Sequence, residues 1–413
     1  MRILLLIHYW TPEVGAPQRR WNRLATSLVS RGHELAVLAP CPHYPGGCLL
    51  EDDGPHRPGS VSRDVTGAIV HRTAFRSYDA DLRRRGADQL VAAADSVRLG
   101  VRRFSGANRP DVILGSVPGL PTLPAALALG RVLRRPVVVE LRDAWPDLFM
   151  SAKQWDSSSA HAPTEAQAPR RSLGADIVGR SVRSLIPPLV TRLEREATSV
   201  VTTTDSFARV LRARGLRQVV TIRNTGSNVP PDRDRISRRP SDGALHVLYL
   251  GTVGRAQGIG CAVKAARIVG DGAQYDQVAA LARRLAAPVE MRPTVPWDQV
   301  GQHYAWADTV LVSLQDWPAL SLTVPSKLYE IMAMGLHVSA SVEGEARRIV
   351  EDAGCGDVTA PQDPEALAAL WISLAADRSR LRVTGGQRWL EDNADAEEMA
   401  QRYESLLKRV TGD

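Results

Sequence analysis

"RILLLIHYWTPEVGAPQRRWNRLATSLVSRGHELAVLAP", Arg2 to Pro40, holds a short apolar run, an amphipathic stretch and a second apolar run. RILLLI and ELAVLAP have the length of buried strands, and QRRWNRLATSLVSRG between them is long enough for a helix. Strand, helix and strand in that order predict a βαβ unit whose strands run parallel. The alternation continues in DVILGS (Asp111–Ser116) and VVVEL (Val137–Leu141). It starts afresh at LHVLYLG (Leu245–Gly251) and goes on through DTVLVSL, VPSKLYEIMAMG, LHVSASV and DPEALAALWISLAAD. The expected fold is α/β, with two doubly wound Rossmann-like lobes and a central cleft.

The first lobe is expected to cover residues 1–225 and the second residues 245–393. A linker over 226–244 falls in NTGSNVPPDRDRISRRPSDG, which has the Pro, Gly, Ser and Asp content of a connector. The last helix, within 394–413, is expected to pack back on the first lobe. A second polar stretch, KQWDSSSAHAPTEAQAPRRSLG (Lys153–Gly174), reads as a mobile insertion.

The chain has 413 residues, enough for two lobes each with its own core. Fifty-two Lys and Arg against 45 Asp and Glu give a net charge of +7, a balance suited to nucleic acid, an anionic membrane or phosphorylated ligands. Nucleic acid is disfavoured because no aromatic-rich basic groove accompanies the charge. Cys41, Cys48, Cys261 and Cys355 are too widely spaced for CxxC motifs, so four free thiols in a reducing compartment are expected. MRILLLIHYW reads as a strand rather than a secretory leader, and LPTLPAALALGRVL is broken by Pro121, Pro124 and Arg131. The expectation is a cytoplasmic protein. LRRRGADQLVAAADSVRLGVRRF (Leu82–Phe104) and GRSVRSLIPPLVTRLEREA (Gly179–Ala197) join helical apolar spacing to many arginines. They suit peripheral contact with an anionic membrane surface, and equally a core-packed helix with a solvated arginine face.

In doubly wound sheets ligands lie at the carboxyl ends of the strands, which directs attention to four loops. The first, after RILLLI, contains Gly15 ahead of a helix N-terminus, where a backbone can approach an anion closely. A Pro/Gly turn with no ligand is the plain alternative. The second, GTVGRAQGIG after LHVLYL, is a glycine-rich turn with Gly254 and Arg255 and can cradle phosphates, although it is not GxGxxG. Asp271 in IVGDG falls near the spacing of a dinucleotide ribose acid, which keeps a nicotinamide enzyme as a rival; its flanking glycines mark a turn instead. The third loop, after VVVEL, brings Arg142 and Asp143, which could handle a developing charge and a proton or form a local salt bridge. DAD (Asp79–Asp81) and DRD (Asp232–Asp234) read as solvated charge clusters rather than metal sites.

The fourth loop leads into VPSKLYEIMAMG. Pro325 suits a first helical position and Gly335 a helix end, and Lys327 and Glu330, three apart, share a face. A lysine in a first turn opposes the helix dipole by about 0.3–1 kcal/mol unless an anion is present, which suggests an anionic ligand. A surface ion pair worth ~0.2–0.5 kcal/mol is the alternative.

HYWTPEVGAPQRRWNRLATSLVSRGHELAVLAP, PHYPGG, ELRDAWPD, TIRN, YLGTVGRAQG, VPSKLYEIMAMG and GEARRIV, in this order over most of the chain, resemble the retaining GT-B glycosyltransferases of family 4. The likeness is to the bacterial branch that builds surface polysaccharides on lipid carriers. The resemblance implies a nucleotide-diphosphate sugar, uridine diphosphate being the expected carrier, held mainly by the second lobe. It implies a lipid-linked or small-molecule acceptor held mainly by the first, and transfer with retention, without a metal and without a cofactor. The donor-binding set it implies is Gly15, Gly254, Arg255, Ser326, Lys327 and Glu330. Arg255 and Lys327 would meet the diphosphate and Glu330 the ribose hydroxyls.

Arg142 and Asp143 occupy the place where many relatives carry a histidine near the reacting sugar, and are the catalytic candidates. Two departures stand out. Leu322 lies where relatives often have a second glutamate, and GCAVKAARIVGDG compresses a crossover that ordinarily needs about a dozen more residues. A nucleotide-sugar epimerase of the same fold, or a catalytically silent partner subunit, are the alternative functions.

Overall fold

The computed structural model describes residues 1–13, 15–44, 46–50, 54–78, 82–117, 119–144, 146–150, 186–226, 243–262 and 267–412. Outside these lie the two acidic triplets, Lys153–Gly174, the Gly179–Leu185 part of the second arginine-rich segment and most of the expected linker. The chain forms two compact units. One comprises Met1–Pro146, Val182–Arg223 and Glu397–Asp413, the other Asp147–Ser181 and Asn224–Ala396.

The first unit carries an eight-stranded sheet built from β1 (Arg2–Leu6), β2 (Glu34–Pro40), β3 (Val61–Arg63), β4 (Ile69–Thr73), β5 (Val112–Val117), β6 (Val137–Leu141), β7 (Ser199–Thr202) and β8 (Val219–Thr221). Its order is β3-β4-β2-β1-β5-β6-β7-β8, with only the edge pair β3 and β4 antiparallel. Ile3, Leu5 and Ile7 enter the same core as Trp21, Leu24 and Leu28 of the helix Ala16–Ser30. Leu4 and Leu6 are buried as well, as a parallel strand covered on both faces requires. The helix Ala396–Thr411 adds Met399, Tyr403, Leu406 and Leu407 to that core.

The second unit has β9 (Val247–Leu250), β10 (Arg267–Val269), β11 (Glu290–Arg292), β12 (Thr309–Ser313), β13 (His337–Ser341) and β14 (Gly356–Thr359). They lie in the order β11-β10-β9-β12-β13-β14, all parallel. This is the dinucleotide-fold order, and its direction reverses between β9 and β12. Strand alternation sorts the core: Leu248, Leu250, Val310 and Val312 face one layer, Val247, Tyr249 and Leu311 the other. Between β9 and β10 the described residues carry a 3₁₀ turn, Ile259–Ala262, so the crossover is as short as the sequence suggests.

The helix after β12 spans Ser326–Ala333. Pro325 has ψ 128° and precedes the helix instead of opening it. Ser326 is thus the first helical residue and Lys327 the second. The chain leaves through Gly335 at φ +64°, a left-handed value that favours glycine.

Candidate functional site

In the second unit the loops after β9 and β12 sit side by side, because the two strands pair. The backbone N–H of Gln315 donates to the Ala256 carbonyl at 2.8 Å and the Ser313 hydroxyl to the Gln257 carbonyl at 2.6 Å. A side chain at Gly258, φ +61°, would meet Gln315 at 3.1 Å, so glycine serves both the turn and the approach. These contacts fix the loop carrying Gly254 and Arg255 against the end of β12. Arg255 is half-buried and makes no hydrogen bond or ion pair with any described residue. A half-buried guanidinium without a carboxylate, in a glycine-rich loop at the switch point of the sheet, suits an anion.

The helix Ser326–Ala333 has no side-chain cap and no acid in its first turn, so its N–H groups add to the positive field of Lys327. Lys327 Nζ donates to both oxygens of Glu330, at 3.0 and 3.1 Å, and the Tyr304 hydroxyl donates to Oε1 at 2.6 Å. The lysine side chain is 19% exposed and the glutamate 4%. The ion pair that the spacing allows is therefore formed, in a buried setting rather than on the surface. A carboxylate offers about four acceptor directions, and three are taken here, so one remains for a hydroxyl. Tyr304 escaped sequence reading: its helix, Val300–Trp306, is distant in sequence and carries no motif.

Asp271 Oδ1 accepts the N–H of Gly272 at 2.7 Å, and its carbonyl accepts from Val253 at 2.9 Å. A side chain at Gly270 or Gly272 would run into the backbone of Gly251 or Val253. Asp271 is thus part of a tight turn, as its flanking glycines suggest.

In the first unit the carboxyl ends of β1, β2 and β6 carry a polar cluster. Gly15 is extended, φ −167°, and precedes a helix without a side-chain cap; a Cβ there would meet Gln18 Oε1 at 2.6 Å. Arg142 and Asp143 follow β6 and are half-buried. They form no ion pair with each other. Arg142 Nε lies 3.9 Å from Glu140 Oε1, and its Nη1 is buried without a hydrogen-bond partner among the described residues. Glu140 is held by Arg20 Nε at 3.3 Å and by the Tyr403 hydroxyl, while Arg20 Nη1 and Nη2 donate to the carbonyls of Arg223 and Ile222 at 2.7 and 2.9 Å. The local salt bridge offered as the plain reading of Arg142–Asp143 is replaced by this longer-range network.

Burial pushes the Asp143 carboxyl up, opposed by Arg142 and Arg85, and burial lowers Arg142. A carboxyl raised in this way holds a proton more readily than an ordinary aspartate, as a proton-transfer group must. Arg85 donates to the Tyr9 hydroxyl at 2.8 Å, and Tyr9 packs on Tyr44 with ring centroids 5.2 Å apart. Tyr9, Tyr44 and Arg85 are absent from the sequence-derived set. The motifs HYWTPE and PHYPGG contain the two tyrosines, but Arg85 comes from an arginine-rich helix and only the fold selects it. A cavity of about 260 Å³ lined by Arg131, Arg134 and Arg135 lies at the amino end of β6, away from these loops.

The two α/β units with mostly parallel sheets have the fold of the GT-B glycosyltransferases. Residues 15–225 match the family model described as glycosyl transferase 4-like domain, and residues 259–377 match the one described as glycosyl transferases group 1. The chain belongs to this family of glycosyltransferases. No curated protein matches the sequence at significance. Among solved structures the chain is similar to sucrose-phosphate synthase from Thermosynechococcus elongatus, with a TM-score of 0.74, 17% identity and coverage of 100% of this chain and 99% of that one. It is also similar to HepE of Anabaena in complex with UDP and glucose, with a TM-score of 0.65, 16% identity and 99% of each chain covered. A third similar structure is WaaG, a glycosyltransferase involved in lipopolysaccharide biosynthesis, with a TM-score of 0.58, 15% identity and full coverage of both chains. These likenesses carry the fold. No described helix is long and apolar enough to cross a membrane.

Proposed function

We propose that the protein transfers a hexose-type sugar from a nucleoside-diphosphate sugar, with uridine diphosphate as the carrier, to a lipid-linked or small-molecule acceptor with retention of configuration. The observation that carries this reading is Arg255, half-buried and without a counter-ion among the described residues, in the loop beside β12. In this reading Arg255, Lys327, Gly254, Ser326 and Gly15 hold the diphosphate, and Glu330 accepts from the ribose hydroxyls. The cations stabilise the charge that grows on the leaving diphosphate, without a metal there. Asp143 and Arg142 serve the reacting centre. HepE has been solved with UDP-glucose, which supports the choice of carrier. The lipid-linked acceptor places the protein in the cytoplasm at the inner face of the membrane.

Thermal-shift screening against nucleotide sugars tests the donor, since a ligand that binds only the folded protein raises its stability. Product NMR with the best donor then reads the anomeric configuration. An inverted product, or stabilisation by no nucleotide sugar, refutes the proposal. The short β9–β10 crossover favours one second reading, a catalytically silent partner subunit. Such a subunit shows no donor hydrolysis, whereas an epimerase would return an altered nucleotide sugar.

A further inference from the structure

The first unit contains three ligand-type atoms that converge beside Tyr9, whose ring centroid lies 4.7 Å from that of His8 and 5.6 Å from that of His43. His8 follows β1, His43 follows β2, and Asp88 lies on the helix Leu82–Arg103. His8 Nε2 is 3.2 Å from Asp88 Oδ2, His43 Nε2 is 3.7 Å from the same oxygen, and all three atoms lie within 4.8 Å of one another. The residues are 4%, 0% and 0% exposed, for His8, His43 and Asp88 respectively. None of the three atoms has a hydrogen-bond partner among the described residues.

The surrounding bonds orient these atoms. His43 Nδ1 lies 2.7 Å from the Cys41 carbonyl, which can only accept, so Nδ1 carries a proton and the Nε2 edge of the ring faces Asp88. Asp88 Oδ1 accepts the N–H of Arg76 at 2.9 Å, which leaves Oδ2 directed at the two imidazoles. A ring nitrogen fixed by a carbonyl behind it, and a carboxylate fixed by a backbone donor, are the usual outer partners of metal ligands. A proton on His8 Nε2 can serve the 3.2 Å contact, but the 3.7 Å separation between His43 Nε2 and the same oxygen is too long for a hydrogen bond and leaves that buried nitrogen unsatisfied among the described residues. A cation at their centre satisfies all three. Tetrahedral bonds of ~2.0–2.1 Å place ligand atoms about 3.4 Å apart, close to the two separations from Asp88 Oδ2, while the two imidazole nitrogens lie within 4.8 Å of each other.

We infer that His8, His43 and Asp88 form a buried site for a divalent transition ion, with Zn²⁺ as the ion best suited to two imidazoles and one carboxylate and a water as the fourth ligand. The ion clips together the ends of β1 and β2 and the helix Leu82–Arg103, beneath the loops that present Tyr9 and Tyr44. All three ligand residues are buried.

The test uses the full chain, stripped with chelator and titrated with Zn²⁺ and, separately, Co²⁺. Expected are one Zn²⁺ per chain, a rise in melting temperature on adding it, and visible Co²⁺ absorption of the intensity typical of four-coordination. His43→Gln and Asp88→Asn should each lower Zn²⁺ affinity by more than the ~10–100-fold that an outer-shell change costs. Equal Zn²⁺ binding by folded wild type and both variants overturns the site. Should the variants fail to fold, wild-type protein decides: no stoichiometric Zn²⁺ uptake and no Co²⁺ band means that the cluster is a proton-sharing triad.

Discussion

Lys327 and Glu330 offer two substitutions that should fail in different ways. In Lys327→Ala the carboxylate loses two of its three hydrogen bonds and keeps only the Tyr304 hydroxyl. Breaking a fully buried pair costs about 3–5 kcal/mol, and a single charge-assisted bond about 1.5–3 kcal/mol. With the lysine 19% exposed and one donor left on the glutamate, the lower range applies, so a folded variant with reduced stability is expected. Its affinity for UDP and UDP-hexose should fall by the same ~1.5–3 kcal/mol, roughly ten- to hundredfold, while uridine binds almost as before. Glu330→Gln keeps the shape but weakens the acceptor for ribose, so uridine, UDP and UDP-hexose should all bind less well. Calorimetry with the three ligands reads the pattern, and urea midpoints report stability separately. Wild-type affinity for every ligand in both variants, with only the midpoint lowered, would show that the pair is purely structural and refute the reasoning.

Three further outcomes are expected. Asp143→Asn and Arg142→Ala should lower kcat with little change in donor Kd, because both lie in the first unit; Glu140 keeps Arg20 and Tyr403, so the variants should fold, and loss of folding would assign the pair a structural role. Burial, aided by Arg103, holds the His71 imidazole down at about 4, below its ordinary 6.5. The unfolded chain therefore takes up the proton first, and stability present above pH 6.5 is lost as pH falls toward 4. His71→Leu should flatten that part of the urea-midpoint profile, and an unchanged slope would clear His71. The protein should pellet with anionic vesicles at low salt through Leu82–Arg103 of the first unit, each basic residue adding ~1 kcal/mol at most; failure to pellet favours a soluble acceptor.

The sequence by itself determined the elements and the loops. Apolar runs such as RILLLI and LHVLYL must be covered on both faces, and the amphipathic segments between them supply the cover, so two parallel α/β units follow from local pattern. Gly258, Gly270, Gly272 and Gly335 mark turns for an equally local reason, a backbone angle or a contact that a side chain forbids. The motifs also pointed to Arg255, Lys327 and Glu330, and the Lys327–Glu330 contact follows from their spacing of three on one helix.

Only tertiary structure decided what meets across the chain. Tyr304 reaches Glu330, Tyr403 reaches Glu140 across more than half of the sequence, and His8, His43 and Asp88 converge from two strand ends and a helix. No periodicity announces such pairs, because side-chain direction and strand order are settled by packing rather than by spacing. The same packing placed Arg142 beside Glu140 instead of beside its neighbour Asp143. Glu140 is itself fixed by Arg20 and Tyr403, from two helices distant in sequence, so the partner beside Arg142 is set by that packing rather than by adjacency.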